Sequence, residues 1–347
     1  MMSNNEPIRV VHTGVGPVGC RVLALILERP DLKLVGVVDA DAEKIGRLLE
    51  EFVPKAAGLG LRVENDTTAC IRNNDAVAVT HTTVSYVPDC IDHLREIART
   101  GAAAVSSTEE LLYPWLRHPK WADELDELCR RYGSRMLGTG INPGFLMDLL
   151  PVLAGPPCER VRTVRAERVV NAATRRGPLQ RKVGAGITRE EFARRVASGK
   201  FGHVGFCESA ALLASKLGWK LDALGETIEP MIADRPIKTD VVDVQPGQAA
   251  GIHQVITGRM SGRAVIHLDL KMYVGATDPH DAFVLDGDPP VSWRCDHGVA
   301  GDPATAAILV NSIDRLLATS PGLKTVADLP ASVKTVSFEG LDFTPYY

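Results

Sequence analysis

The 347-residue chain carries 39 basic and 43 acidic residues, a formal net charge of −4, and is 45% hydrophobic and 24% charged. This is the make-up of a folded globular protein of roughly two domains. It excludes bulk disorder and gives no general electrostatic pull on nucleic acid or an anionic membrane. No apolar run approaches the ~18 residues of a membrane helix, and the first residues lack the basic and apolar regions of a signal peptide. Cys20, Cys70, Cys90, Cys129, Cys158, Cys207 and Cys295 are scattered, with no C-x-x-C pair and no zinc-type spacing to histidine. They predict reduced thiols, no metal site and a cytoplasmic protein.

In chain order, residues 8–14 form a short apolar run ending in glycine, which predicts a buried strand. Residues 17–28 follow with Val18, Val22, Leu23, Ile26 and Leu27 at helical spacing. A second strand is expected over 32–39 and a second helix over 42–51. Strands at 76–82, 102–106 and 136–139 then alternate with helices near 87–100 and 121–132. The alternation predicts an α/β fold: an N-terminal doubly wound parallel sheet of the Rossmann type over 1–143. After Asn142-Pro143-Gly144 the pattern changes. Strand signals at 161–173, 236–244 and 254–274 and helices at 189–198 and 209–217 predict a second, α+β domain on a mixed sheet over 144–347. An amphipathic helix is expected over 305–319.

The sharpest local signal is Gly14-Val15-Gly16-Pro17-Val18-Gly19, a G-x-G-x-x-G between a strand and a helix. Gly14 suits a tight turn, Gly16 a close approach of backbone to a pyrophosphate, and Gly19 close helix–strand contact. The helix start offers unpaired N–H groups to phosphate, and Pro17 needs no N–H there. Asp39 closes the second strand 20 residues after Gly19, where an acid would bond the ribose hydroxyls. The expected cofactor is therefore NAD or NADP. Asp39 favours NAD, and Lys44 and Arg47 leave dual use open. Ligands in such sheets lie beyond the strand carboxyl ends, so Thr80, His81, Thr82 and Ser107 are expected to flank the ribose and nicotinamide.

Ser107-Thr108-Glu109-Glu110 follows the strand at 102–106. Ser107 and Glu110 fit an S-x-x-E capping box, which leaves Glu109 freer to face the cleft. A carboxylate beside a nicotinamide can deprotonate an ammonium and stabilise an iminium. Both acids could equally serve only the start of the helix.

Residues 10–19 (VVHTGVGPVG), 107–115 (STEELLYPW), 138–148 (GTGINPGFLMD), 202–209 (GHVGFCES) and 301–311 (GDPATAAILVN) together resemble the 2,4-diaminopentanoate dehydrogenase-like proteins, including native amine dehydrogenases, which are distantly related to dihydrodipicolinate reductase. The resemblance spans nearly the whole chain. It implies NAD(P)H-dependent reductive amination of a ketone or aldehyde with ammonia, and the reverse deamination. It also implies a homodimer, a late helix packing back towards the Rossmann domain, and a catalytic glutamate within 107–115, placed on Glu109 with Glu110 the rival. Asn142 is expected at the nicotinamide side of the cleft. Phe145, Leu146, Val169, Thr174 and His203 are expected to form the substrate pocket. Residues 171–177 (NAATRRG) carry neither the paired histidines nor the Lys-x-Asp-x-Pro-Ser-Gly-Thr stretch of dihydrodipicolinate reductases. Two alternatives stay open. One is an alcohol or hydroxy-acid dehydrogenase using His81, His203, Arg175 or Arg176; the other is a dinucleotide-binding protein without turnover.

Overall fold

The computed structural model describes residues 6–174 and 177–332. The first sheet starts with β1 (Ile8–Thr13), followed by α1 (Pro17–Glu28) and β2 (Leu32–Val38). Next come β3 (Val63–Glu64), α2 (Thr67–Asn73), β4 (Ala78–His81), α3 (Ile91–Thr100), β5 (Ala103–Ser106), α4 (Pro119–Tyr132) and β6 (Arg135–Gly138). After the crossover, α5 (Leu149–Leu153) leads to β7 (Arg160–Asn171), α6 (Gly177–Lys182), α7 (Arg189–Ala197) and α8 (Phe206–Lys216). The strands β8 (Ala223–Ile232), β9 (Ile237–Lys238), β10 (Asp243–Val244), β11 (Ala249–Met260), β12 (Arg263–Tyr273), β13 (His280–Asp288) and β14 (Val291–Asp296) complete the second region. The described chain closes with α9 (Gly301–Asn311), α10 (Ile313–Leu317) and β15 (Gly322–Lys324).

Seven strands in the order β15-β6-β5-β4-β1-β2-β3 form a parallel sheet, and β14-β13-β7-β12-β11-β8 form a mixed one. Strands covered on both faces read as continuous apolar runs, which is why β1, β2 and β4 stand out in the sequence. β15 pairs with β6, so the first sheet takes its last strand from the far end of the chain. Ala306, Leu309, Val310, Ile313 and Leu316 pack with Val22, Leu23 and Ile26 of α1 in one core. The late helix thus lies against the first domain, and it is divided at Ser312 into α9 and α10.

The helix expected over 42–51 is not formed. Gly46 takes a left-handed conformation (φ 82°) and gives its N–H to Val63 O at 2.8 Å, leaving turns and one 3-10 turn over Leu49–Glu51. The strand signal over 254–274 divides into β11 and β12 at Ser261 and Gly262, both at positive φ as a tight hairpin turn requires.

In β7 the side chains alternate. Val164 and Ala166 join the core with Phe206, Ala210 and Leu213 of the buried helix α8. Farther along the same face, Arg168 and Val170 reach the cavity between the two sheets.

Candidate active site

The glycine loop has the geometry its spacing predicts. Gly14 has φ 100°, and a Cβ there would lie 2.4 Å from Thr82 O. A Cβ on Gly19 would lie 1.8 Å from Gly14 O, so the helix can pack there only without a side chain. Nothing lies within 4 Å of a Cβ built on Gly16, and no side chain caps the start of α1. The loop therefore presents bare backbone and an uncapped helix start to open space, which fits the pyrophosphate of a dinucleotide. Val15 is buried, and its N–H donates to Asp39 Oδ2 at 2.6 Å. Lys44 Nζ is 3.2 Å from the same oxygen, and Asp41 N donates to Oδ1 at 2.8 Å. Burial pushes the Asp39 carboxyl up, but the Asp41 and Val15 N–H groups and Lys44 bring it net below the usual carboxylate range. Arg47, the other basic residue near this end, is taken up by Glu51 at 2.8 Å and by the ring of Phe52.

Gly16, Pro17 and Val18 border a cavity of about 440 Å³ that runs from the carboxyl ends of the first sheet to the inner face of the second. Thr82, Ser107, Glu109 and Asn142 line it from the first sheet's side, and Arg168, Ile252 and Met272 from the second. Lys182 and His203 lie on its wall.

Glu109 opens a 3-10 turn (Glu109–Leu112) after β5. Burial raises its carboxyl above the usual range, against the Ser85 hydroxyl that hydrogen-bonds it and the positive charge of Lys182. A carboxyl so placed holds a proton more readily than one in water, which suits a group that takes and returns protons. Glu110 turns elsewhere, though not as a capping box with Ser107. Its Oε2 accepts the Val87 N–H at 2.9 Å and lies 3.0 Å from His118 Nε2.

Several residues expected at the cofactor or in the substrate pocket do not reach the cavity. Thr80 and His81 are 0% exposed. Thr80 Oγ1 bonds His12 Nδ1 at 2.7 Å, while His81 is engaged by Ser106 Oγ at 2.8 Å and Thr83 Oγ1 at 2.9 Å. Burial lowers the His81 pKa to about 3, so it is a neutral interior group. Phe145 and Leu146 pack into the cores instead of walling the cavity. They follow Gly144 (φ 126°), whose N–H donates to the buried carboxylate of Asp148 at 2.8 Å; Ser209 Oγ donates to that carboxylate at 2.6 Å. Val169 points to the face opposite Arg168 and Val170. Thr174 adds its backbone to a 3-10 turn, but its side chain, Arg175 and Arg176 lie outside the described residues.

His203 does border the cavity. Its Nε2–H donates to the Asn142 carbonyl at 2.9 Å, and its main chain is gripped on both sides by Gln254 at 2.7 and 3.0 Å. Burial lowers its pKa to about 4, so it serves as a neutral hydrogen-bonding wall.

Sequence reasoning passed over two cavity cations. Arg168 is buried, with Nη1 on Asp281 Oδ1 at 2.7 Å and Nη2 on Val299 O at 2.9 Å; it was one residue of strand parity away from Val169. Lys182 ends the short helix α6, and no sequence pattern marks it. Among the described residues, no group of three or more His, Cys, Asp or Glu side chains could hold a metal ion, and no helix is long and apolar enough to cross a membrane.

The family defined by the 2,4-diaminopentanoate dehydrogenase C-terminal domain matches residues 145–338. The chain is 31% identical over 333 residues to the 2,4-diaminopentanoate dehydrogenase of Acetoanaerobium sticklandii, covering 94% of each. It is 24% identical over 350 residues to an amine dehydrogenase of Streptomyces virginiae, covering 93% of this chain and 96% of that one. The solved amine dehydrogenase of Mycobacterium smegmatis superposes with a TM-score of 0.82 at 24% identity, covering 96% of this chain and 99% of that one.

Proposed function

The chain belongs to the 2,4-diaminopentanoate dehydrogenase family of NAD(P)-dependent oxidoreductases acting on CH–NH2 groups, and we propose that it interconverts a small ketone or aldehyde plus ammonia with the corresponding primary amine, Glu109 managing the protons. The observation that carries the reading is the meeting of a partly buried carboxyl and a bare glycine cradle in one cavity.

In the amination direction, the Glu109 carboxylate takes a proton from ammonium and so delivers ammonia to the carbonyl carbon. The protonated Glu109 then gives that proton to the departing hydroxyl, which leaves as water. The resulting iminium is positive, and the carboxylate restored beside it stabilises that charge in a low-dielectric site. When bound, a reduced nicotinamide supplies the hydride that turns the iminium carbon into the amine carbon. Ile252, Met272 and Val170 give the cavity an apolar side, and much of the acceleration comes from holding the reactants together away from water.

For the cofactor, the reading is NAD in preference to NADP, because the ionised Asp39 repels a 2′-phosphate; Lys44 beside it leaves NADP some use. Asp39→Ala removes the repulsion and frees Lys44. It is expected to raise the ratio of the NAD to the NADP dissociation constant by about tenfold, measured by titration with each nucleotide. An unchanged ratio would remove Asp39 from ribose recognition.

The reading is tested by following NADH and NADPH oxidation across a ketone and aldehyde panel, with and without ammonium. Oxidation that requires ammonium and yields the amine is the expected result. Equal oxidation without ammonium would mark the chain as an alcohol dehydrogenase.

A further inference from the structure

The turn that carries Glu109 is braced by charged side chains that do not line the cavity. Helix α8 is buried from Phe206 to Ala214, and Glu208 is the one charged residue in that stretch. The Glu208 side chain is 1% exposed. Its Oε1 accepts a hydrogen bond from Arg117 Nε at 2.6 Å, and its Oε2 has no hydrogen-bond partner among the described residues. Arg117 lies just after the Glu109 turn, and its Nε is 4.0 Å from Glu110 Oε1. Glu110 is itself fixed by Val87 N and His118, and His118 stacks on Trp121 with ring centroids 5.2 Å apart. The start of α8 also meets the turn directly. Gly205 has φ 83°, and a Cβ there would lie 2.9 Å from the Glu109 Cβ and 2.5 Å from Pro143 Cγ.

A carboxylate buried this deeply, with one of its oxygens unpartnered, is a poor device for stability alone. An apolar side chain would fill the place in α8 at less cost. What the pair does achieve is a link between a helix of the second region and the turn after β5, at the point where that turn presents Glu109.

We propose that Arg117 and Glu208 form a positioning pair for the amination chemistry, tying the Glu109 turn to the start of α8 so that the Glu109 carboxyl is held at one place in the cleft. The inference rests on the reading of Glu109 as the proton-handling group. Neither residue borders the cavity, so both act through Glu109 and not on the substrate.

Glu109 feels Glu110 of its own turn and Lys182 at the end of α6, and Tyr86 in the loop after β4 feels Glu109 and Arg117. Arg168 of β7 and the buried, neutral His203 line the same cavity, and the Arg117–Glu208 pair stands behind Glu110. The pair is neutral as a whole, so removing either charge unbalances the field at Glu109. Without Glu208, the unpaired Arg117 favours the Glu109 carboxylate and lowers its pKa. Without Arg117, Glu110 loses its neighbouring positive charge and raises it, while the buried Glu208 takes up a proton. The two variants thus displace the Glu109 limb of the pH–kcat profile in opposite directions, each by about half a pH unit.

The decisive variant is Glu208→Gln, which leaves only a half-exposed arginine to be solvated. It is expected to lower kcat for amination by about tenfold or more, to move the Glu109 limb to lower pH, and to leave the NADH dissociation constant unchanged. Arg117→Gln is expected to move that limb to higher pH, and Arg117→Lys to restore part of the rate. NADH binding by fluorescence serves as the check of folding for each variant. Wild-type kcat with an unmoved limb in Glu208→Gln would overturn the proposal. So would a rate loss matched by an equal loss of NADH binding, which would mark general structural damage. Glu109→Gln with wild-type turnover would instead remove the premise about Glu109, whatever Glu208→Gln does.

Discussion

Glu109→Gln is expected to lower amine-forming turnover by about 10²- to 10⁴-fold, the range contributed by a positioned acid–base group, with NADH affinity unchanged. The amide keeps the size of the side chain and its contact with Ser85, but it can neither take nor return a proton. Stability offers an independent check. Burial raises the folded-state pKa of Glu109 above its unfolded value. As pH rises, the unfolded chain therefore gives up this proton first, and stability is lost over the interval between the two values. At neutral pH the Gln variant is then expected to melt no lower than the parent, which separates lost chemistry from lost structure. In the parent, the acidic limb of kcat that reports Glu109 is expected above the usual carboxylate range. Turnover falls as pH drops through it. Steady-state rates, a pH profile and thermal melts together decide the matter. Retained turnover in a well-folded variant would pass the proton role to another group.

How much of this could be read from residues differs between the two halves. In the first sheet the strands are covered on both faces, so β1, β2, β4 and β5 appear as short, mostly apolar runs, and the glycine loop carries its own geometry in its spacing. The second sheet is harder. β8 runs along its edge and is largely exposed, with Glu226, Glu229 and Pro230 interrupting any apolar signal, so nothing in composition marks it as a strand. β15 has only three residues and joins a sheet begun more than three hundred positions earlier, a pairing that local pattern does not encode. The site follows the same division. Glu109 lines the cavity, and its place just after a strand end is what makes it a candidate in the sequence. His81 was misplaced because a strand-end histidine can turn inward as readily as outward, and here Ser106 and Thr83 supply partners inside. Val169 was wrong by one step of a period-two pattern, which exchanges the cavity face for the opposite one. Phe145 and Leu146 follow Gly144, and the Asp148 carboxylate that grips the Gly144 N–H turns that segment into the cores. Lys182 reaches the cavity only through tertiary placement of a six-residue helix.

The glycine loop yields the other large effect, because two of its glycines are required for different physical reasons. At Gly19 an added methyl would lie 1.8 Å from Gly14 O and 2.8 Å from His12 Nε2. Gly14 O already accepts bonds from His12 Nε2 at 3.0 Å and Thr82 Oγ1 at 2.9 Å, so it cannot retreat without breaking both. Gly19→Ala is therefore expected to cost about 1–3 kcal/mol or more through overpacking, lowering the melting temperature by several degrees as well as weakening nucleotide binding. At Gly16 the backbone sits at φ −91° and ψ −177°, which any residue can adopt, and no atom lies near the added methyl. Gly16→Ala is expected to melt with the parent, while its methyl group stands where a pyrophosphate must approach the backbone. NADH affinity should then fall on the order of tenfold or more, by the same overpacking cost applied to the complex. Melting curves paired with NADH titrations separate the two kinds of glycine. An unchanged NADH affinity in Gly16→Ala would mean that the open cradle does not receive the dinucleotide phosphates, and the cofactor would have to enter the cavity from another side.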